Sequence, residues 1–69
     1  MTRERVIPIA LLDEVTLTMP VYVEAVGREL PAGSRGAVVG VWRSGRAYEV
    51  EFTRPFACLA TVLPEGLGA

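Results

Sequence analysis

Alternation of hydrophobic and polar residues, the pattern typical of half-buried β-strands, recurs along most of this chain. It is regular over residues 13–19, where Val15, Leu17 and Met19 fall on one face of a predicted strand. It returns more strongly over residues 36–52. Sustained helical periodicity is not found in any segment, so the pattern predicts an all-β protein.

Residues 36–52 predict a β-hairpin, because two β-rich runs flank Ser44-Gly45, a pair suited to a two-residue loop. Counting outward from that loop gives a core face of three apolar pairs: Val41 with Tyr48, Val39 with Val50 and Ala37 with Phe52. The same count places Trp42 and Val38 on the outer face. A one-residue bulge near Gly40 would exchange the two faces in part of the hairpin.

The segments before the hairpin are less regular. Residues 6–12 are apolar but contain a proline, and they predict either an edge strand or a short helical turn across one end of a barrel. Residues 20–35 form the longest irregular stretch. Within it, residues 21–23 are β-prone, and residues 30–33 fit a type I turn with proline second and glycine fourth.

After the hairpin, proline in residues 53–55 predicts a break, because proline cannot donate to a β-ladder. Residues 56–63 predict a final strand, and residues 63–67 predict one short helical turn. Four to five short antiparallel strands separated by glycine and proline predict a small SH3-like barrel, with an OB-like barrel as the alternative.

The composition is that of one folded domain over residues 1–69, with residues 1–5 expected to fray. The chain is 51% hydrophobic and 22% charged, which argues against a disordered tail. A single cysteine excludes an internal disulfide, which fits a reducing compartment. No apolar stretch approaches the ~20 residues that span a bilayer, so we expect a cytoplasmic location.

Charge gives no general attraction to nucleic acid or to an anionic membrane, because the formal net charge is −1. All seven cations are arginine, which suits bidentate contacts with carboxylate or phosphate but also follows from a GC-rich genome.

The sequence contains few residues that could form a catalytic site or a metal site. The chain has no histidine, so a Ser-His or Cys-His pair cannot form, and one cysteine cannot build a zinc cluster. Glu49 and Glu51 share a strand face about 7 Å apart, where a solvated face explains them better than an acid-base pair. Cys58 lies in an apolar strand with no adjacent cation and is expected to be structural. We therefore expect no enzyme activity, no cofactor and no metal.

The segments LLDEVTLT, LPAGSRGAVVGV, SGRAYEVEF and LATVLPEGL, in that order, resemble an uncharacterised family of small bacterial proteins. It is known as domain of unknown function number forty-nine twenty-six. The resemblance spans residues 11–67 and is most specific over residues 45–52. It implies an SH3-like barrel similar to the nitrile hydratase β-subunit, and a protein-binding or antitoxin-like role. Residues 33–45 also resemble the glycine-rich KOW element of ribosomal and elongation proteins.

Trp42 is the leading candidate for partner binding, since an aromatic residue on an outer face is a typical anchor of protein interfaces. Val38 is expected beside it. Tyr22 lies in the long early loop, where function concentrates in such barrels. Arg43 and Arg46 face each other at the hairpin tip, either solvated or gripping an anion.

Three functions follow from these features. The favoured one is a non-enzymatic interaction module that binds, and as an inhibitor or antitoxin neutralises, one protein partner. The alternatives are a nucleic-acid or ribosome-associated barrel using four arginines (Arg35, Arg43, Arg46 and Arg54) and a structural accessory subunit of an enzyme complex. A membrane partner is not expected, and homodimerisation stays open.

Overall fold

The computed structural model describes residues 9–68, which form seven β-strands and one 3-10 turn. The strands are β1 (Glu14–Leu17), β2 (Val21–Val23), β3 (Arg28–Leu30), β4 (Arg35–Trp42), β5 (Ala47–Phe52), β6 (Cys58–Val62) and β7 (Leu67–Gly68). The 3-10 turn, Pro64–Gly66, lies between β6 and β7. The all-β class and the helical turn near the C-terminus are confirmed.

Five of these strands form one antiparallel sheet in the order β6-β5-β4-β1-β7. The sheet curls into a half-barrel, which confirms the predicted small SH3-like barrel. β2 and β3 pair separately as a two-stranded hairpin, and β2 contacts β6. The description of residues 20–35 as irregular is therefore wrong, because this stretch contains a paired hairpin.

The core lies inside the curl of the sheet. Its buried side chains are Val15, Leu17, Val23, Leu30, Val38, Tyr48, Val50, Phe52, Ala60 and Val62. Val15 and Leu17 occupy the inner face of β1 as their alternation predicts, whereas Met19 lies beyond the strand and is exposed.

The predicted register of the β4–β5 hairpin is correct at its tip and wrong at its base. Trp42 pairs with Ala47, and Gly40 pairs with Glu49, as counted from the sequence. A bulge then inserts Val39 between two paired residues, so Val38 lies opposite Val50. Because strand side chains alternate, one extra residue moves everything below it to the other face.

Val38 shows the consequence of that bulge. It is fully buried in the core, not on the outer face where the unbulged register placed it. Val39, predicted as a core residue, is 41% exposed. The bulge near Gly40 that the sequence left open as an alternative is the arrangement found.

The hairpin tip is a four-residue loop, residues 43–46, and not the two-residue loop predicted at Ser44-Gly45. The carbonyl of Trp42 accepts hydrogen bonds from the N–H groups of Gly45 at 3.1 Å and Arg46 at 3.0 Å. Arg43 and Ser44 both have positive φ, at 51° and 58°. The wider loop means that Arg43 and Arg46 are turn residues, not a cross-strand pair.

The turn before β4 is also displaced by one residue from its predicted position. Ser34 N–H donates to the carbonyl of Pro31 at 3.2 Å, so the turn covers residues 31–34. Gly33 is its third residue and has φ of 93°, the conformation that a type II turn requires there. The prediction of a type I turn at residues 30–33 is wrong.

A third turn precedes β1. Asp13 N–H donates to the Ala10 carbonyl at 3.1 Å, and the Asp13 carboxylate accepts from the Ala10 N–H at 2.8 Å. Residues 9–12 thus lie in this turn and its approach, not in the predicted edge strand or helical turn. The expected fraying of residues 1–5, and the prediction for residues 6–8, lie outside the described residues.

Candidate functional site

Trp42, the last residue of β4, lies on the outer face of the sheet with 54% of its surface exposed. Its indole approaches Gly40, two residues earlier on the same strand. The indole Nε1 is 3.9 Å from the position that a Cβ on Gly40 would occupy, which is an ordinary contact distance. The outward position predicted for Trp42 is confirmed.

The outer face of β4, β5 and β6 continues from Trp42 in cross-strand rows. These rows are Trp42–Ala47, Gly40–Glu49–Thr61 and Ala37–Glu51–Leu59. We call these eight residues the outer patch. Its central strand carries two carboxylates, and its flanks carry an aromatic ring, small residues and an exposed leucine.

Glu49 is held in place within the outer patch. Thr61 Oγ1 donates a hydrogen bond of 2.8 Å to Glu49 Oε1. This contact fixes the carboxylate across the β5–β6 pair and leaves its second oxygen without a hydrogen bond among the described residues. A positioned carboxylate loses little side-chain entropy when it meets a partner.

The other end of the outer patch opens into a shallow depression of about 280 Å³ above Ala37. Glu51 borders it on one side and Glu14 on the other. Arg35 Nη2 donates to Glu14 Oε1 at 2.7 Å, with both side chains well exposed. Such an exposed pair contributes little to stability, but it leaves Glu51 as the unpaired charge at this depression within residues 9–68.

The other predicted partner-binding residues do not all join the outer patch. Val38 is in the core, as described above. Tyr22 is 61% exposed but belongs to the separate β2–β3 hairpin, where it pairs with Glu29. Arg43 and Arg46 are exposed in the loop that follows Trp42, at the edge of the patch. Of the other predicted partner-binding residues, only Arg43 and Arg46 therefore lie close to Trp42.

The four arginines proposed for nucleic-acid binding separate into two groups. Arg43 and Arg46 lie in the loop after β4, whereas Arg35 begins β4 and Arg54 follows β5. The eight residues of β4 lie between the two groups and separate them by roughly 26 Å. Arg35 and Arg54 border an open groove of about 890 Å³ between the residue 31–34 turn and residues 53–55. These positions do not form one basic stripe.

Cys58 is half-buried at the start of β6, opposite Phe52, and packs against the core. Burial raises the pKa of the Cys58 thiol above its ordinary value of 9.0. The neutral thiol is therefore favoured at neutral pH, which is the opposite of what a nucleophile needs. Its position agrees with a packing role.

Trp42 is the only one of the eight outer-patch residues that the sequence predicted to bind a partner, and Glu49 and Glu51 were interpreted as a solvated face. The other five had not been singled out as site residues: Ala37, Gly40, Ala47, Leu59 and Thr61. The signal for the last two was present, because the alternation of residues 58–62 puts Leu59 and Thr61 on one face. What the sequence lacked was the pairing of β6 with β5, which brings that face beside the glutamates.

Comparison with protein-family models, with curated proteins and with solved structures finds no significant match to this chain. Among residues 9–68 there is no cluster of three or more His, Cys, Asp or Glu side chains able to hold a metal ion. The same part of the chain contains no helix with the length and apolarity needed to cross a membrane.

Proposed function

We propose that this protein is a non-enzymatic interaction module that binds one protein partner through the outer patch centred on Trp42. The exposed indole beside Gly40 is the observation that carries the proposal. An aromatic side chain has only two torsions to fix on binding, and Trp is among the residues that dominate interface energies.

The surroundings of Trp42 support an interface centre. Leu59 is 54% exposed on the same face, and Ala37, Gly40 and Ala47 leave the backbone open to close approach. Exposed apolar side chains gathered on one face with polar neighbours are typical of protein-binding surfaces.

For the biological role we propose inhibition or neutralisation of that partner, in the manner of an antitoxin, and a cytoplasmic location. The first rests on the resemblance of the segments quoted above, and the second on the single, half-buried cysteine.

The test is a tagged capture from native lysate followed by direct binding with the purified partner. Trp42→Ala is compared with Tyr22→Ala, because Tyr22 is equally accessible but lies on the other sheet. We expect Trp42→Ala to abolish binding of one stoichiometric protein, while its free energy of unfolding changes by less than about 1 kcal/mol. Tyr22→Ala should bind normally.

Nuclease treatment and salt distinguish the alternatives. Binding through the outer patch should survive nuclease and weaken only modestly in high salt. Recovery of nuclease-sensitive material alone, with affinity falling steeply as salt rises, would instead establish nucleic-acid binding by counterion release. Unfolding of Trp42→Ala would show that the indole is a structural residue.

A further inference from the structure

We infer that the outer patch recognises a cationic segment of its partner, an arginine or lysine placed beside an apolar side chain. This inference rests on the proposed function and names the chemistry of the partner. Its basis is the placement of two carboxylates and one indole on the same strand face.

The carboxylates are spaced for an extended cationic segment. Glu49 and Glu51 alternate on β5, so their Cα atoms lie about 7 Å apart, the spacing of alternate side chains in a partner strand. Glu49 is oriented by Thr61, and Glu51 borders the depression above Ala37. A guanidinium or ammonium group near either carboxylate would form a charge-assisted hydrogen bond.

The indole favours the same ligand. Trp42 Nε1 and Glu49 Cβ lie 3.9 Å and 3.1 Å from the position that a Cβ on Gly40 would occupy, so the indole and the base of the Glu49 side chain both lie close to this glycine. Trp is the ring that attracts cations best, and arginine is the cation most often found over it. A cationic segment would therefore meet an indole on β4 and carboxylates on β5 along one face of the sheet, while an adjacent apolar residue covers Leu59.

Charge disfavours a second copy of this chain as the occupant. The outer patch itself carries Glu49 and Glu51 and no cation, since Arg35 is paired with Glu14 and Arg43 and Arg46 lie in the loop at its edge. In a two-fold interface the same patch meets itself, so the negative charge of one copy would oppose that of the other. Like charges opposed across an interface disfavour the pairing.

Random peptides displayed on phage provide the test, selected on the wild-type protein and counter-selected on Trp42→Ala. The expected result is enrichment of arginine or lysine next to an apolar residue. A synthetic enriched peptide is then titrated by fluorescence, for which Trp42, the only tryptophan of the chain, is the reporter. Glu49→Gln and Glu51→Gln should each weaken its affinity about two- to fivefold.

Two controls show whether that loss comes from the named contact. Glu24→Gln removes an exposed carboxylate from the β2–β3 turn and should leave the affinity unchanged. A peptide in which glutamine replaces the cation should bind wild type and Glu49→Gln equally weakly, because the pair is already broken.

The outcomes separate this inference from the proposed function. Peptides that require Trp42 but show no cationic preference, with unchanged affinity for both glutamine variants, would overturn the inference and leave the interaction module standing. Absence of any Trp42-dependent peptide, together with failure of the capture experiment, would overturn both. Self-association that Trp42→Ala abolishes, measured by sedimentation, would show a second copy as the occupant and overturn the inference.

Discussion

Gly36 and Gly40 lie four residues apart in β4, yet they face opposite sides of the sheet and differ in the space around them. A Cβ on Gly36 would point into the core and lie 2.7 Å from both the Glu51 carbonyl oxygen and Val50 Cγ1. A Cβ on Gly40 would point outward, 3.1 Å from Glu49 Cβ and 3.9 Å from Trp42 Nε1. A Cβ therefore does not fit at the first position without moving backbone, whereas at the second it would press only on the Glu49 side chain and touch the indole at an ordinary distance.

We therefore expect Gly36→Ala to destabilise the fold by about 1–3 kcal/mol, the range for overpacking, because backbone is one of the atoms that would have to move. Gly40→Ala is the matched control and should cost less than about 1 kcal/mol while shifting the fluorescence maximum of Trp42. Urea unfolding measures the first effect and emission spectra the second. Equal stability losses at the two positions would contradict this assignment of faces.

At the scale of elements, the bulge in β4 coincides with a change of neighbours. Residues 36–37 pair with β5 on one side and β1 on the other, whereas residues 40–42 pair with β5 alone. At the end of the shared region, Leu12 N–H donates to the Val38 carbonyl at 2.7 Å and Val38 N–H donates to the Asp13 carbonyl at 2.9 Å. A bulge bends its strand and increases the local twist. The bulged residue, Val39, lies at the point beyond which β4 no longer pairs with β1.

The β2–β3 hairpin packs against the half-barrel and adds Val23 and Leu30 to its core. The guanidinium carbon of Arg28 lies 4.2 Å from the centre of the Phe56 ring, which joins the start of β3 to the segment before β6. A cation–π contact at a partly exposed site contributes about 0.5–1 kcal/mol.

A double-mutant cycle with Arg28→Gln and Phe56→Leu should give a coupling energy of about 0.5–1 kcal/mol in the free energy of unfolding. Arg43→Gln with Phe56→Leu is the control cycle, because Arg43 lies at the far end of the β4–β5 hairpin and should be additive with Phe56. Additivity in the Arg28 cycle as well would mean that the contact does not hold the hairpin.

At the scale of the whole molecule, stability depends on a small core. A chain of 69 residues has a free energy of unfolding of roughly 3–10 kcal/mol by the usual value per residue. Phe52 is completely buried at the end of β5, where β4 and β6 both pair with it. The free energy lost when one such buried side chain is truncated is comparable with the whole free energy of unfolding.

We expect Phe52→Ala to cost about 3–5 kcal/mol and to leave much of the protein unfolded at room temperature. Circular dichroism and thermal unfolding measure the effect. Leu59→Ala, on the exposed face of β6, is the control and should change the free energy of unfolding by less than about 1 kcal/mol. A cooperatively folded Phe52→Ala protein with nearly normal thermal stability would show that the core does not depend on this ring.

Alternation, turn residues and the absence of helical periodicity determined the all-β class, the final strand, the helical turn near the C-terminus and the outward position of Trp42. These features depend on local chemistry. The predicted loop, residues 44–45, and the observed loop, residues 43–46, have the same centre. Trp42 therefore pairs with Ala47 in both, although the predicted loop was two residues too short.

Only the tertiary structure decided the face of Val38, the hairpin within residues 20–35 and the membership of the outer patch. The physical reason is that strand periodicity is two, so one bulged residue reverses every side chain beyond it. The position of that residue depends on how β4 must bend to pair with β1 and β5 together, and the patch depends on β6 pairing with β5. Both are constraints between segments distant in the chain, which local pattern does not contain.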